Sequence, residues 1–182
     1  MPPRSARLGS GTNATSVIDP IGEHKATIVW LHSLNEDGSI WKSQLEQLNI
    51  PNIKWICPTA PTRPIPGVAG FNAATWCDYD MGVVCTEESP YDDLGGLDAS
   101  ATRVANLLST EPAGIKLGVG GIGVGAAIAL HSATCFARGQ YHNGSAYPPI
   151  NLTAILALNG WLPQASGCLR SSNPDGQSPA VS

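Results

Sequence analysis

Apolar and polar positions divide this chain into short apolar runs and longer segments with a helical repeat. The apolar runs lie at 26–31, 53–57 and 152–158, with a fourth that begins at 115 and ends in glycines. Such runs are typical of strands that are buried on both faces. Trp41, Leu45 and Leu48 fall on one helical face, and a second helical face extends from Leu97 to about Thr110. Strands alternating with helices predict a mainly parallel sheet covered on both faces.

The two ends of the chain lack this pattern. Residues 1–24 are rich in Gly, Ser, Thr and Pro and are predicted to be a mobile leader, and residues 164–182 are predicted to be a disordered tail. The folded domain is therefore expected to comprise residues 25–163. Because no further strand is predicted after 152–158, this strand is expected at an uncovered sheet edge, where it would favour self-association.

Composition narrows the class of protein further. The chain has 182 residues, of which 42% are hydrophobic and 13% charged, with a formal net charge of -4. This composition is typical of one globular domain, and the net negative charge does not favour binding to nucleic acid or an anionic membrane. No apolar run reaches the roughly 18 residues of a membrane span, and the first residues do not form a signal peptide, so a cytoplasmic protein is expected.

The cysteines give no sign of a metal centre or a disulfide framework. They are five in number, scattered and without CxxC spacing, at Cys57, Cys77, Cys85, Cys135 and Cys168. Free thiols are expected from this arrangement, and neither a metal nor a cofactor is predicted. His131 is interpreted as a residue that packs its helix.

The most informative stretch is the glycine-rich turn that follows the run at 115. Its centre reads Gly121-Ile122-Gly123-Val124-Gly125, and small and apolar residues with a helical repeat follow it. A strand that turns sharply into a helix through flanking glycines is the frame of the nucleophile elbow, GxSxG. Gly123 stands where that motif has serine, so the frame of an esterase site is predicted without its reacting atom.

A second interpretation of the same stretch is a dinucleotide-binding turn. Gly118, Gly120 and Gly123 satisfy GxGxxG between a strand and a helix. The acidic residue that should follow about 20 positions later is missing, because no Asp or Glu occurs between Glu111 and Asp175. Nucleotide binding is therefore kept only as a remote alternative.

The order of these features resembles the acyl-protein thioesterases, members of the phospholipase/carboxylesterase group of α/β-hydrolases, and the plant members in particular. The resemblance extends over about residues 22–163. It is carried by Ile56-Cys57-Pro58-Thr59-Ala60-Pro61, Leu97-Asp98-Ala99-Ser100 and Gly160-Trp161-Leu162-Pro163. It implies a three-layer α/β-hydrolase-like fold with a mainly parallel sheet.

The resemblance also implies site residues. The two amides of the oxyanion hole would be those of Leu34 and Val124, and the long loop after 58 would be a lid over an acyl channel, with Phe71 and Trp76 as candidate lining residues. The chain departs from the family at Gly123 and at Ser33, where the family has serine and glycine. The family's catalytic aspartate and histidine would lie beyond the last residue, so a C-terminally truncated domain is expected.

These departures lead to one main prediction about function. The chain is expected to be an acyl-protein thioesterase-like protein that has lost hydrolase activity and binds acyl chains or lipid-modified proteins. The alternative is residual ester or thioester hydrolysis through a nucleophile foreign to the family or through a partner chain. Loss of the nucleophilic serine alone lowers turnover roughly a millionfold in subtilisin, which favours the first prediction.

Overall fold

The computed structural model describes residues 14–78 and 93–163, and the acidic segment between these ranges lies outside it. The elements follow the chain in this order: β1 (Thr15–Ile18), β2 (Ala26–Leu31), α1 (Gly38–Gln47), β3 (Ile53–Pro58), β4 (Thr62–Pro64), β5 (Asn72–Ala74), α2 (Leu94–Ser109), β6 (Lys116–Ile122), α3 (Val124–Arg138) and β7 (Leu152–Leu158). None of the described helices is long and apolar enough to cross a membrane.

Five strands form the central sheet, in the order β1-β3-β2-β6-β7. The four strands predicted from the apolar runs are parallel to their neighbours, and β1 is antiparallel to β3. Alternate residues of β2 face opposite layers, since Val29 packs in the core beneath α2 and α3 while Trp30 packs with Leu45 of α1. The three-layer fold with a mainly parallel sheet, expected from the sequence, is thus confirmed.

The predicted leader was wrong in its last part. Residues 15–18 form β1, which pairs with β3 from Thr15 opposite Pro58 to Ile18 opposite Trp55. This strand alternates between exposed and partly buried positions, and only Val17 and Ile18 are strongly apolar. A strand of four residues that relies on its neighbour for pairing leaves too weak a pattern to detect in the sequence.

The strand β7 lies at the other edge of the described sheet, as the sequence predicted. Only its first residue, Leu152, is buried, and the six residues that follow are exposed. Ile155 and Leu158 have 45% and 50% of their surface exposed. An apolar strand with one unpaired edge is a surface on which another strand can add.

Side-chain charges join the elements at the amino end of the parallel strands. The carboxylate of Glu111, which follows α2, accepts hydrogen bonds from Thr27 of β2 and Lys54 of β3, each at 2.7 Å. Its side chain is 3% exposed. Burial would raise the pKa of Glu111, but the hydrogen bonds from Lys54 and Thr27 and the charge of Lys54 hold it below the usual value.

Candidate functional site

The glycine-rich turn joins β6 to α3 at the carboxyl end of the parallel strands, the end at which open α/β sheets bind ligands. At its centre, Gly123 has φ 57° and ψ -121° and is the N-cap of α3. Its N–H donates to the carbonyl of Leu158 at 3.0 Å, so the end of β7 holds the turn in place. A side chain in this backbone conformation would be strained, as is the serine of a nucleophile elbow.

The two glycines on either side of Gly123 allow a close approach of backbones. A Cβ on Gly121 would lie 2.6 Å from the carbonyl carbon of Gly125 and 2.7 Å from the carbonyl oxygen of Leu31. A Cβ on Gly125 would overlap the carbonyl oxygen of Leu31 and lie 2.7 Å from that of His32. Both positions therefore exclude any side chain, and the sharp turn predicted from the sequence is present.

The space beside Gly123 is taken by the hydroxyl of Ser33. A Cβ on Gly123 would lie 2.5 Å from Ser33 Oγ and 3.4 Å from Ser33 Cβ. A hydroxyl oxygen from the loop after β2 thus lies beside the position where an elbow residue would begin its side chain. Both residues depart from the family pattern, but 90 positions separate them in the sequence, so their contact could not be predicted from it.

The loop that carries Ser33 is fixed by its neighbours. Ser33 N donates to Glu36 Oε2 at 2.9 Å, and the same oxygen accepts from Trp41 Nε1 at 2.7 Å. The carbonyl of Ala74 accepts from Asn35 N at 2.9 Å, which connects the loop to β5. Ser33 is therefore held beside the turn by the hydrogen bond of its own amide and by the attachment of Asn35, two residues later, to β5.

His32 is a structural residue of this loop. Its ring is fully buried, and Nε2 accepts the N–H of Ala60 at 2.9 Å, so the ring proton lies on Nδ1 and is donated to the carbonyl of Ser33 at 2.6 Å. Burial lowers the pKa of His32. With both nitrogens engaged and the neutral form favoured, His32 offers no lone pair to the hydroxyl of Ser33.

Trp76 braces the same loop from beneath. It is 1% exposed, its ring packs at 5.0 Å from that of His32, and its Nε1 donates to the carbonyl of His32 at 2.9 Å. Arg103 covers the ring at 5.6 Å and donates to the carbonyl of Thr59. Phe71, by contrast, is 41% exposed between β4 and β5. The lid role of these two aromatics stays a prediction, and Phe71 is the one with surface available for a ligand.

The predicted oxyanion donors are backbone amides on the two sides of the turn. Leu34 follows Ser33, and Val124 is the first residue of α3, where amides have no partner within the helix. Among the described residues, neither amide has an acceptor within hydrogen-bond distance. Their service as an oxyanion hole stays a prediction.

The dinucleotide alternative does not fit the geometry. Gly118 and Gly120 lie inside β6, which pairs with β2 on one side and β7 on the other. A Cβ on Gly120 would lie 3.0 Å from the ring of Trp30, so this glycine makes room for an aromatic side chain. Only Gly123 lies at the turn, and these glycines form no loop that could hold a pyrophosphate.

A cluster that the sequence analysis did not predict lies where α2 packs on α3. Asp98 Oδ1 lies 2.9 Å from His131 Nε2, and Cys135 Sγ lies 3.5 Å from the same nitrogen. His131 and Cys135 are four residues apart on one helix, a spacing visible in the sequence. Asp98 is distant in sequence and joins them only through the packing of the helices.

Comparisons with known proteins agree with this architecture. The sequence pattern of the family described as phospholipase/carboxylesterase matches residues 12–174. Acyl-protein thioesterase 1 of Schizosaccharomyces pombe is 29% identical over 155 residues, which are 82% of this chain and 62% of that protein. The acyl-protein thioesterase 1 of Cryptococcus neoformans is covered to 58%, so the chain spans less than two thirds of both curated relatives.

Solved structures give the same result. The crystal structure of Zea mays acyl-protein thioesterase 2 is 53% identical with a TM-score of 0.80, over 90% of this chain and 68% of that one. Arabidopsis thaliana SOBER1 is 21% identical with a TM-score of 0.57, over 80% of this chain and 66% of that one, and shows a likeness of fold alone. The chain is thus similar to esterases and thioesterases in both sequence and fold.

Proposed function

Since the chain belongs to the phospholipase/carboxylesterase family, we propose that it binds acyl groups or acylated proteins without hydrolysing them. The observation that carries the proposal is the pairing at the turn, where Gly123 has no side chain and Ser33 Oγ lies 2.5 Å from the position of its Cβ. An elbow nucleophile needs a hydroxyl at the turn itself, together with a base to take its proton.

The surrounding frame supports the binding half of the proposal. Gly121 and Gly125 keep the close backbone approach that an elbow requires, and the amides of Leu34 and Val124 flank the turn. Backbone donors survive the loss of a side chain, so they remain able to bind a carbonyl oxygen. A thioester or ester carbonyl is the group that this arrangement would hold.

The histidines of the described residues are not placed to act as a base for Ser33. His32 has both ring nitrogens engaged, and His24 lies beside Glu111 at the amino end of the strands. His131 follows Gly123 by 8 positions on α3, about 12 Å along the helix, and the amide of His142 donates to Asp98, which also contacts His131. None of the four is positioned in the described structure to accept a proton from Ser33.

The alternative function is hydrolysis with Ser33 as a nucleophile foreign to the family. Among residues 14–78 and 93–163, its hydroxyl is the side-chain oxygen that touches the Cβ position of Gly123. Without a histidine beside it, Ser33 lacks the base that a serine nucleophile needs. We therefore favour binding without turnover, and the two functions differ in a measurable product.

Binding is tested with a non-hydrolysable acyl thioether and the full chain in solution. We expect saturable binding that weakens about tenfold in Phe71→Ser, because burial of a phenylalanine side chain contributes roughly 1.5–3 kcal/mol. Ile40→Ser is the matched control, since Ile40 is similarly exposed, at 46%, but lies on α1. The corresponding thioester should be hydrolysed, with release of free thiol, only at the background rate. No saturable binding, or release of free thiol well above background, would refute the proposal.

A further inference from the structure

We infer that Asp98, His131 and Cys135 form a binding site for Zn²⁺ between α2 and α3. The donor atoms of these three buried residues all lie within 4.8 Å of one another. They are a carboxylate oxygen, an imidazole nitrogen and a sulfur, the ligand types that zinc takes in proteins. This inference is independent of the function proposed for the turn, because the site lies more than two turns along α3 from Gly123.

The distances are close to those of a tetrahedral site. Zinc bond lengths place a thiolate sulfur and an imidazole nitrogen about 3.5 Å apart, and a nitrogen and a carboxylate oxygen about 3.4 Å apart. The sulfur of Cys135 and the Nε2 of His131 are 3.5 Å apart, and that nitrogen is 2.9 Å from Asp98 Oδ1. To admit the ion, the hydrogen-bonded pair has to open by about half an ångström, and the sulfur and the carboxylate oxygen, which lie within 4.8 Å of each other, have to come to about 3.6 Å apart.

Hydrogen bonds alone do not satisfy all three polar groups of this cluster. The Nε2 of a histidine carries either one hydrogen or one lone pair, yet both Oδ1 of Asp98 and the sulfur of Cys135 converge on it. If the hydrogen is donated to Asp98, the thiol faces a nitrogen with no free lone pair. A cation at the centre would instead accept a lone pair from all three groups.

The carboxylate is already oriented as a metal ligand would be. The amides of His142 and Asn143 donate to the two oxygens of Asp98 at 3.1 and 3.0 Å. Carboxylates that bind metals are commonly held by such outer hydrogen bonds. His142 and Asn143 are exposed, so the cluster lies directly beneath a surface turn through which an ion can enter.

Charge and protons balance on binding. The thiol of Cys135 loses its proton to solvent, His131 binds through the lone pair of Nε2 with its ring hydrogen on Nδ1, and the thiolate and the Asp98 carboxylate neutralise the two charges of Zn²⁺. Burial and the charge of Asp98 raise the pKa of Cys135 to about 11. Three protein ligands leave a fourth position for a water molecule.

The same residue types also occur in hydrolases that use a cysteine nucleophile, but the geometry here is different. In such a triad one ring nitrogen contacts the nucleophile and the other contacts the carboxylate. Here the sulfur and the carboxylate share Nε2, so the two groups face one ring nitrogen instead of opposite ones. Metal binding accounts for the arrangement better than nucleophilic catalysis.

The test uses the full chain, freed of metal by dialysis against a chelator and titrated with Co²⁺ and Zn²⁺. We expect a sulfur-to-cobalt charge-transfer band that saturates at one ion per chain and disappears when Zn²⁺ is added. Cys135→Ser should abolish the band and weaken zinc binding by more than about a hundredfold. Removing a residue that only hydrogen-bonds to a metal ligand weakens metal binding by about 10- to 100-fold, so the loss of a ligand itself should exceed this range. Cys57→Ser, which replaces another buried free thiol, should leave both unchanged.

His131→Gln provides a second variant in case Cys135→Ser does not fold, and zinc competition against a colorimetric chelator gives its affinity. The same large loss of zinc affinity is expected, with the native circular dichroism spectrum retained. The inference is overturned if the unaltered chain gives no charge-transfer band. It is also overturned if the band survives in Cys135→Ser or is lost in Cys57→Ser.

Discussion

The two ends of the parallel sheet are built in different ways. At the amino end, the buried carboxylate of Glu111 joins β2 and β3 through Thr27 and Lys54. At the carboxyl end, the turn at Gly123 is held by backbone hydrogen bonds and by glycines that allow main chains to touch. Side-chain charges thus stabilise the amino end of the sheet. At the carboxyl end, backbone contacts fix the turn, and Gly123 at the centre of that turn has no side chain.

This difference shows how a site frame can be held by the backbone alone, which the proposed binding without turnover requires. The close packing at Gly121 and Gly125 depends on the absence of their own side chains and does not require a side chain at position 123. The reacting group, in contrast, belongs to one residue and is lost with it. The predictions below test this separation, beginning with the change expected to have the largest effect.

The largest effect is expected for Gly125→Ala at the carboxyl end. Its Cβ would overlap the carbonyl oxygen of Leu31 and lie 2.6 Å from the carbonyl carbon, and neither backbone atom can move without displacing β2. We expect the free energy of unfolding to fall by about 3 kcal/mol or more, measured by urea denaturation.

Gly139→Ala is the matched control for that change. Gly139, at the end of the same helix, has a positive φ of 68° that Gly125 lacks, and a Cβ there would meet nothing within 4 Å. The expected cost is only that of the left-handed backbone, about 1–2 kcal/mol. Equal losses in the two variants would show that the close approach at the turn contributes nothing.

An intermediate effect is expected for Glu111→Gln at the amino end. The change removes the charge that binds Lys54, and we expect a loss of about 2 kcal/mol at neutral pH. Because the folded pKa of Glu111 lies below its unfolded value, its contribution is present above the unfolded pKa and is lost as the pH falls through the folded pKa. The stability difference between the two proteins should therefore shrink in acid, as followed by thermal unfolding at several pH values, and a constant difference would contradict this account.

The smallest effect on stability is expected at β7, whose end holds the turn. Ile155→Lys places a charge on a residue that is already 45% exposed, so we expect a change within about 0.5 kcal/mol. Charge on an edge strand opposes strand addition, so the variant should be more monomeric than the unaltered chain when both are measured by light scattering. If the unaltered chain is already a stable monomer, the edge does not drive association.

The fold could be predicted from the sequence wherever the signal was local. The apolar runs gave β2, β3 and β7, and the glycines at 121–125 gave the sharp turn, because buried strands and tight turns each leave a pattern within a few residues. The edge strand β1 was missed, since its pairing with β3 supplies what its own short sequence does not.

The candidate site was predicted less completely, because its contacts join distant parts of the chain. The resemblance predicted that Gly123 stands where the family has serine, but not that Ser33 fills the adjacent space. Asp98 meets His131 and Cys135 only because α2 packs on α3, and no spacing rule joins residues 33 positions apart on two helices. Chemistry assembled by tertiary packing is therefore the part that sequence patterns leave out.

The central claim, that the frame at Gly123 binds without turnover, is tested most directly by a fluorophosphonate that labels active serines. We expect the intact mass of the unaltered chain to remain unchanged after exposure and thioester release to stay at background. The comparison is the double variant Gly123→Ser, Ser33→Gly, which introduces the residues expected in the family and removes the contact at 2.5 Å. Labelling of this variant shows whether a side chain at the turn is accessible to the probe. A fluorophosphonate adduct on the unaltered chain, with thioester turnover that the adduct abolishes, would contradict the account.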